Sequence, residues 1–139
     1  MALHVAKQQL KVIRSADLGE LTAQTEGALR RSGVSKENSD ATGVWLGKVH
    51  TPAGYASEAH HHGRAETAGY VLKGRAYILF GEDYRERVDL EEGDFIFVPP
   101  SLPHIEGNAS DVDELVWLTA RHPDNIVINL GRPDITTRA

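Results

Sequence analysis

The sequence predicts an all-β fold, a closed sandwich or jelly-roll barrel with an N-terminal arm, and two observations favour it. Turn signals built from Gly, Pro, Asn and Asp recur about every eight to twelve residues after residue 50. The segments between these turns are short, rich in β-branched and aromatic residues, and not separated by helical patterns. The candidate strands are 44–49, 70–72, 75–80, 95–98, 115–119 and 126–130. This pattern excludes a doubly wound α/β sheet.

The N-terminal region does not follow this pattern. Residues 11–31 mix apolar side chains with two glycines and predict at most a short helix after Asp17, within an arm and a turn. We therefore divide the chain into an arm and loop at 1–40, a barrel at 41–130 and a tail at 131–139.

The composition limits the partners and the cellular location that we expect. A chain of 139 residues fits one domain. Its 15 Lys and Arg residues against 20 Asp and Glu residues give a formal net charge of -5 without a basic stripe, so nucleic acid is not an expected partner. No segment is apolar enough for an export signal or a membrane span, so no membrane association is expected. The lack of cysteine excludes disulfides and thiolate ligands, and it favours a cytoplasmic location.

A histidine triplet is the strongest candidate for a functional site. In an extended chain His60 and His62 point to one face and His61 to the other, which forms half of a metal site. Glu66 lies close behind, and His104 follows a proline-rich segment that holds it rigidly. Imidazole and carboxylate donors suit divalent Zn, Mn, Fe, Ni or Cu and do not select among them.

Two spaced motifs resemble those of the cupin superfamily over residues 44–121. The first motif runs Gly54, five residues, His60, one residue, His62, three residues, Glu66 and then Gly74. The second runs Gly93, five residues, Pro99, then His104, three residues and Asn108. The resemblance implies a double-stranded β-helix with a metal held by His60, His62, Glu66 and His104. It also implies dimers built through N-terminal strands, for which the alternating residues Leu3 and Val5 offer an edge.

The chain departs from the family pattern at two positions. Ser101 stands where the family usually has glycine, a mild change at a turn stiffened by prolines. Glu66 is separated from Gly74 by seven residues where the family usually has six, and the six-residue spacing leads to Thr67. A slip of one residue turns a strand side chain to the opposite face unless a bulge absorbs it. Both a site with Glu66 as ligand and a three-histidine site with Glu66 in a supporting position therefore stay open.

Further residues are weaker candidates for catalysis or binding. Glu106 lies two residues beyond His104 and can share its face as a pocket acid, although a solvated turn residue is an equal alternative. Tyr70 is a weak catalytic candidate among the strand aromatics, most of which we expect in the core. Arg64 and Arg75 are potential anchors for a carboxylate or phosphate, with a solvated charge preferred for both.

We expect a metal-dependent enzyme of the isomerase, dioxygenase or decarboxylase type. Three or four protein ligands leave coordination positions open for a small oxygen-rich acid or sugar derivative. The alternative is a non-catalytic module that binds or senses a small molecule. No helix-turn-helix pattern accompanies the barrel, which weighs against a transcription regulator. The expected partners are a small-molecule substrate or ligand and a second copy of the chain.

Overall fold

The computed structural model describes residues 9–19, 22–25, 27–124 and 126–134, with only the backbone of 22–25. These residues form eleven strands. The strands are β1 Thr22–Thr25, β2 Ala28–Val34, β3 Trp45–Thr51, β4 Ala59–His61, β5 Thr67–Lys73, β6 Ala76–Phe80, β7 Glu86–Leu90, β8 Phe95–Val98, β9 His104–Asn108, β10 Leu115–Arg121 and β11 Ile128–Gly131. One α-helical turn spans Lys36–Ser39, and 3-10 turns span Ser15–Asp17 and Glu82–Tyr84.

The strands form two antiparallel sheets. The larger sheet has the order β1-β2-β3-β10-β5-β8 and the smaller β11-β4-β9-β6-β7. Each sheet therefore combines strands from distant parts of the chain, as a jelly roll does. The predicted all-β double-stranded β-helix is confirmed. Within the described residues no helix is both long and apolar enough to cross a membrane.

The core lies between the two sheets. Strand β3 alternates buried and more exposed residues along its whole length, which is the pattern of a strand with one face on the core. Val71 and Trp117 from the larger sheet are buried together with Ile78 from the smaller sheet. Burying such apolar surface supplies the main stabilising free energy of the barrel.

The segment predicted as an arm contributes to the larger sheet. The sequence predicted at most a short helix after Asp17; the structure instead has a 3-10 turn at Ser15–Asp17, followed by a hairpin of β1 and β2. Gly27 makes its turn with a φ of +84°, a conformation that favours glycine. Strand β2 then pairs with β3, so these residues extend the barrel sheet. The arm residues Leu3 and Val5 lie outside the described residues.

Asn108 fixes the turns at one end of β9. Its buried side-chain amide donates to the carbonyls of Thr51, Pro52 and Asp113 at 2.7–3.2 Å. Its Oδ1 accepts from the N–H of Ser110 at 2.9 Å. One side chain thereby bonds to four backbone groups from three segments, which explains its place in the second motif.

Ser101 connects the turn after the histidine triplet to the loop before His104. Its φ is +59°, the left-handed region that explains why glycine is usual there. Both its N–H, at 2.7 Å, and its Oγ, at 3.0 Å, donate to the carbonyl oxygen of Gly63. These two hydrogen bonds offset the backbone strain.

Candidate metal centre

Three histidines converge inside the barrel. His60 on β4 pairs directly with His104 on β9, and His62 follows two residues after His60 on the same face. Their side chains are almost completely buried, and the ring centroids of His60 and His104 are 4.5 Å apart. Glu106 extends from β9 on the same side as His104. One donor atom from each of these four residues lies within 4.8 Å of the others.

Backbone carbonyls orient all three imidazoles in the same way. The Nδ1 atoms of His60, His62 and His104 lie 2.9, 3.2 and 2.8 Å from the carbonyl oxygens of Glu58, Ile126 and Leu102. A carbonyl oxygen only accepts, so each Nδ1 carries the proton. Each ring then directs Nε2 toward the other donor atoms of the cluster. Metal-binding histidines are commonly held by such hydrogen bonds at the other ring nitrogen.

Two further observations show that the cluster fits a cation. His62 Nε2 is buried and has no hydrogen-bond partner within the described part of the chain. His104 Nε2 and Glu106 Oε1 lie 3.3 Å apart. A neutral imidazole nitrogen and a carboxylate oxygen would face each other with lone pairs unless a proton or a metal ion lies between them. The donor set of three imidazoles and one carboxylate fits a divalent transition metal, as we predicted.

Burial keeps His60 and His62 in the neutral form that binds metal ions. It lowers the pKa of His60, and with the charge of Arg121 it lowers the pKa of His62 to about 3. Burial alone would raise the pKa of Glu106. The hydrogen bond between His104 and Glu106 and the nearby positive charges, that of Arg121 among them, outweigh burial, so the Glu106 pKa is lowered. His60 and His62 are therefore neutral and Glu106 is ionised at neutral pH.

The predicted ligand Glu66 does not join the cluster. Its side chain is exposed, and Thr67 is the buried residue that faces the interior. The reason is that β5 begins at Thr67, so the alternation of this strand, and not the distance from His62, decides which residue points inward. Glu66 therefore does not supply the ligand of the first alternative, and Thr67, the position to which the spacing from Gly74 leads, lies on the inner face. Glu106, expected only as a pocket acid, brings the carboxylate to the histidines.

The other sequence candidates lie away from the cluster. Tyr70 was expected as a weak catalytic residue, but alternation on β5 turns it outward, where its ring packs 4.7 Å from that of Phe95. Arg64 and Arg75 are both exposed, which agrees with a solvated charge. His61 faces away from the other two histidines, and its Nδ1 accepts from the N–H of Gly63.

A cavity of about 30 Å³ adjoins the cluster, enough for a water molecule or two. Its polar lining consists of Arg30, His60, His62, Thr67, Glu106, Thr119 and Arg121. A depression of about 1050 Å³ at the barrel end, the vestibule, is lined by His62, Thr67 and Arg121 together with residues 63–66, 120, 122, 124 and 126. His62, Thr67 and Arg121 line both spaces and therefore lie between the interior cavity and the vestibule.

Sequence reasoning missed Arg121. It is 8% exposed and donates from Nε to Thr67 Oγ1 at 2.7 Å. A signal was present, because Trp117, Thr119 and Arg121 alternate on β10 and share the inner face. An arginine at the end of a strand is more often solvated, and for this reason Arg121 was not predicted as a residue of the site.

The jelly-roll barrel and its interior donor cluster define a β-barrel protein with a transition-metal site. The family comparison makes this specific: the cupin domain model matches residues 47–121, more than half of the 139-residue chain. The chain belongs to the cupin family, as its two motifs indicated.

Two curated proteins are similar to parts of the chain. A 3-hydroxyanthranilate 3,4-dioxygenase of Cupriavidus pinatubonensis is 49% identical over 45 residues, which cover 32% of this chain and 24% of that protein. An uncharacterized protein of Methanocaldococcus jannaschii is 30% identical over 67 residues, which cover 48% of this chain and 51% of that protein. The matches thus span about a quarter and about half of these relatives.

Solved structures of oxalate decarboxylases share the fold. The S161A mutant of the Bacillus subtilis enzyme superposes with a TM-score of 0.66 at 23% identity, covering 80% of this chain and 30% of that one. A formate complex of the Lactobacillus farciminis enzyme gives 0.68 at 21% identity, covering 83% and 34%. A further Bacillus subtilis structure, which concerns Mn(II) centres, gives 0.66 at 22% identity, covering 80% and 30%. At these identities the likeness concerns the barrel alone.

Proposed function

We propose that this protein is a metal-dependent enzyme that acts on a small oxygen-rich acid, with the metal held by His60, His62, His104 and Glu106. The single observation that carries this proposal is the buried cluster itself, in which four donor atoms lie within 4.8 Å of one another beside a cavity. When bound, a divalent metal would supply Lewis acidity toward substrate oxygens, or redox chemistry if the metal is redox-active.

The residues of the chain prepare this site. The carbonyl contacts of the three Nδ1 atoms fix the imidazoles, so that little rearrangement is needed on binding. The ionised carboxylate of Glu106 supplies the negative charge that balances part of a divalent cation. The buried walls formed by Ile78, Val98 and Trp117 make the surroundings apolar, which strengthens electrostatic interactions with a substrate.

The relatives indicate which reactions to test. A dioxygenase acting on 3-hydroxyanthranilate and oxalate decarboxylases stand among the similar proteins, and both names denote small carboxylic acids. These names support the dioxygenase and decarboxylase types. The isomerase type stays in the proposal from the sequence pattern, because the barrel itself does not select a reaction.

The test begins with the metal. Purified protein is analysed by elemental mass spectrometry, and the wild type is compared with H104A and with H61A as the matched control. We expect about one transition-metal ion per chain in wild type and H61A, and a loss of metal in H104A. Equal metal content in H104A and wild type would contradict the proposed metal site.

Turnover is tested next on the metal-loaded protein. Oxygen uptake with 3-hydroxyanthranilate, carbon dioxide release from oxalate and isomerisation of small sugar derivatives are measured over a panel of related acids and sugars. Tight ligand binding by the loaded protein without any turnover would favour a binding or sensing module over an enzyme.

We further propose that the chain forms a homodimer in the cytoplasm. Phe95 and Phe97 on the outer face of β8 are 79% and 59% exposed, and Leu72 on β5 is also exposed. Apolar side chains clustered on one face indicate a protein interface. The lack of cysteine supports a reducing compartment.

A further inference from the structure

We propose that Ser57 is a positioning residue of the metal centre, whose hydroxyl group holds His60 and Glu106 in the arrangement in which both face one ion. This inference rests on the proposed function and adds a residue to it. Ser57 lies in the spacer between Gly54 and His60, and it is 3% exposed. It is not one of the four donor residues.

The two segments that carry His60 and Glu106 pair irregularly. The isolated bridge between Ala56 and Gly107 and the pair of His60 with His104 differ in register by one residue. Three residues, 57–59, therefore stand opposite two, 105 and 106, which makes a β-bulge. A bulge changes the local twist and the direction of the side chains that follow it. The placement of His60 opposite His104 therefore depends on what holds this bulge.

Ser57 supplies hydrogen bonds that hold the bulge. Its backbone N–H donates to the carbonyl oxygen of Glu106 at 2.8 Å, and the N–H of Glu106 donates in return to Ser57 Oγ at 3.0 Å. In a regular hydrogen-bonded pair of antiparallel strands, this second N–H would bond to the backbone carbonyl of the residue opposite. The hydroxyl oxygen of Ser57 takes the place of that carbonyl.

The same hydroxyl group also supports the imidazole of His60. Ser57 Oγ donates to the carbonyl oxygen of Glu58 at 2.9 Å, and this carbonyl also accepts from His60 Nδ1 at 2.9 Å. Oγ lies 3.5 Å from Nδ1 itself. A hydroxyl group has one proton to donate and two lone pairs, so it makes these contacts together. Ser57 thereby joins the ring of one metal ligand to the backbone of another.

Loss of the hydroxyl group would disturb both ligands. The N–H of Glu106 would lose its acceptor and the carbonyl of Glu58 would lose one of its two donors. Removal of the groups that orient metal ligands commonly lowers metal affinity about 10- to 100-fold. We expect a loss of about tenfold, because His60 keeps its own hydrogen bond to Glu58.

The test compares S57A with S110A as the matched control. Ser110 is also a buried serine, and its Oγ accepts from the N–H groups of Val112 and Asp113 at 3.2 and 3.0 Å. It lies outside the cavity lining and the donor cluster. Both variants should therefore lower the urea midpoint of unfolding of the metal-free protein. Only S57A should weaken zinc binding, by about tenfold in competition with a chromophoric chelator.

Two spectroscopic measurements report on the ligands directly. The d–d absorption of the Co(II)-loaded protein depends on the number and geometry of the ligands, and it should change in S57A but not in S110A. In the metal-free protein, NMR should show exchange of the Glu106 amide proton that is about tenfold faster in S57A than in wild type. S57T retains the hydroxyl group and should bind zinc more tightly than S57A does. If S57A does not fold, S57G, which also lacks the hydroxyl group, replaces it in this comparison.

Zinc affinity that is unchanged in S57A, or that falls equally in S57A and S110A, would overturn the positioning role. A wild type that binds no zinc would instead contradict the proposed function. In that case the metal-free protein still tests the contact itself, and amide exchange of Glu106 that is unchanged in S57A would overturn it.

Discussion

The metal-free protein should lose stability in mild acid because His62 is buried in its neutral form. Burial, reinforced by Arg121, lowers the pKa of His62 from 6.5 to about 3. Between these two values the unfolded chain binds a proton that the folded chain does not bind. The free energy of unfolding therefore falls as the pH falls through this window, and the full contribution is present above about pH 6.5.

The size of the effect follows from the two pKa values. Between pH 7 and pH 5 the unfolded imidazole becomes almost fully protonated while the folded one stays neutral, which costs about 2 kcal/mol of stability. His60, whose pKa is lowered in the same direction, adds to this loss. The site that suits a metal thus makes the metal-free barrel sensitive to acid.

The assay is urea unfolding in the presence of a chelator, followed by the fluorescence of the two tryptophans, at pH 7 and pH 5. H62N is the informative variant, because asparagine can donate to the Ile126 carbonyl but does not titrate. Its loss of stability between the two pH values should be smaller than that of wild type by about 2 kcal/mol. Equal losses in H62N and wild type would refute the reasoning.

Three further predictions concern the ligand set, the fold and the interface. E106Q should weaken zinc binding about 10- to 100-fold in competition with a chromophoric chelator, while E66Q binds as wild type does; equal affinities would exclude Glu106 from the site. N108A should lower the free energy of unfolding by about 2–4 kcal/mol, because three carbonyls lose a side-chain hydrogen bond, and a urea titration showing less than about 1 kcal/mol would contradict this. F95S combined with F97S should convert a dimer into a monomer in light scattering at unchanged metal content; a wild type that is already monomeric at micromolar concentration argues against the interface.

Much of the barrel was predictable because several of its strands are rich in β-branched and aromatic residues. The predicted segments 95–98 and 115–119, both of this composition, coincide with β8 and most of β10. Strands β4 and β9 were not predicted as strands, because their residues are largely histidine, glycine and polar side chains. Their pairing depends on partners far away in the sequence, which local propensity does not contain.

In the candidate site, too, some residues could be predicted from the local sequence and others depend on strand pairing. His60, His62 and His104 could be predicted from spacing, and Glu106 from the two-residue alternation after His104. The choice between Glu66 and Thr67 depends on the residue at which β5 begins pairing, which is a property of the folded sheet. The catalytic role of Glu106 stays a prediction.

The bridge between Ser101 and Gly63 has a mechanical consequence. The carbonyl oxygen of Gly63 accepts both hydrogen bonds. They therefore join the segment that carries two of the histidines to the segment that carries the third histidine and the glutamate. A displacement of one of these two segments would therefore displace the other. The metal ligands are therefore expected to be preorganised, so that metal binding requires little further ordering of the chain.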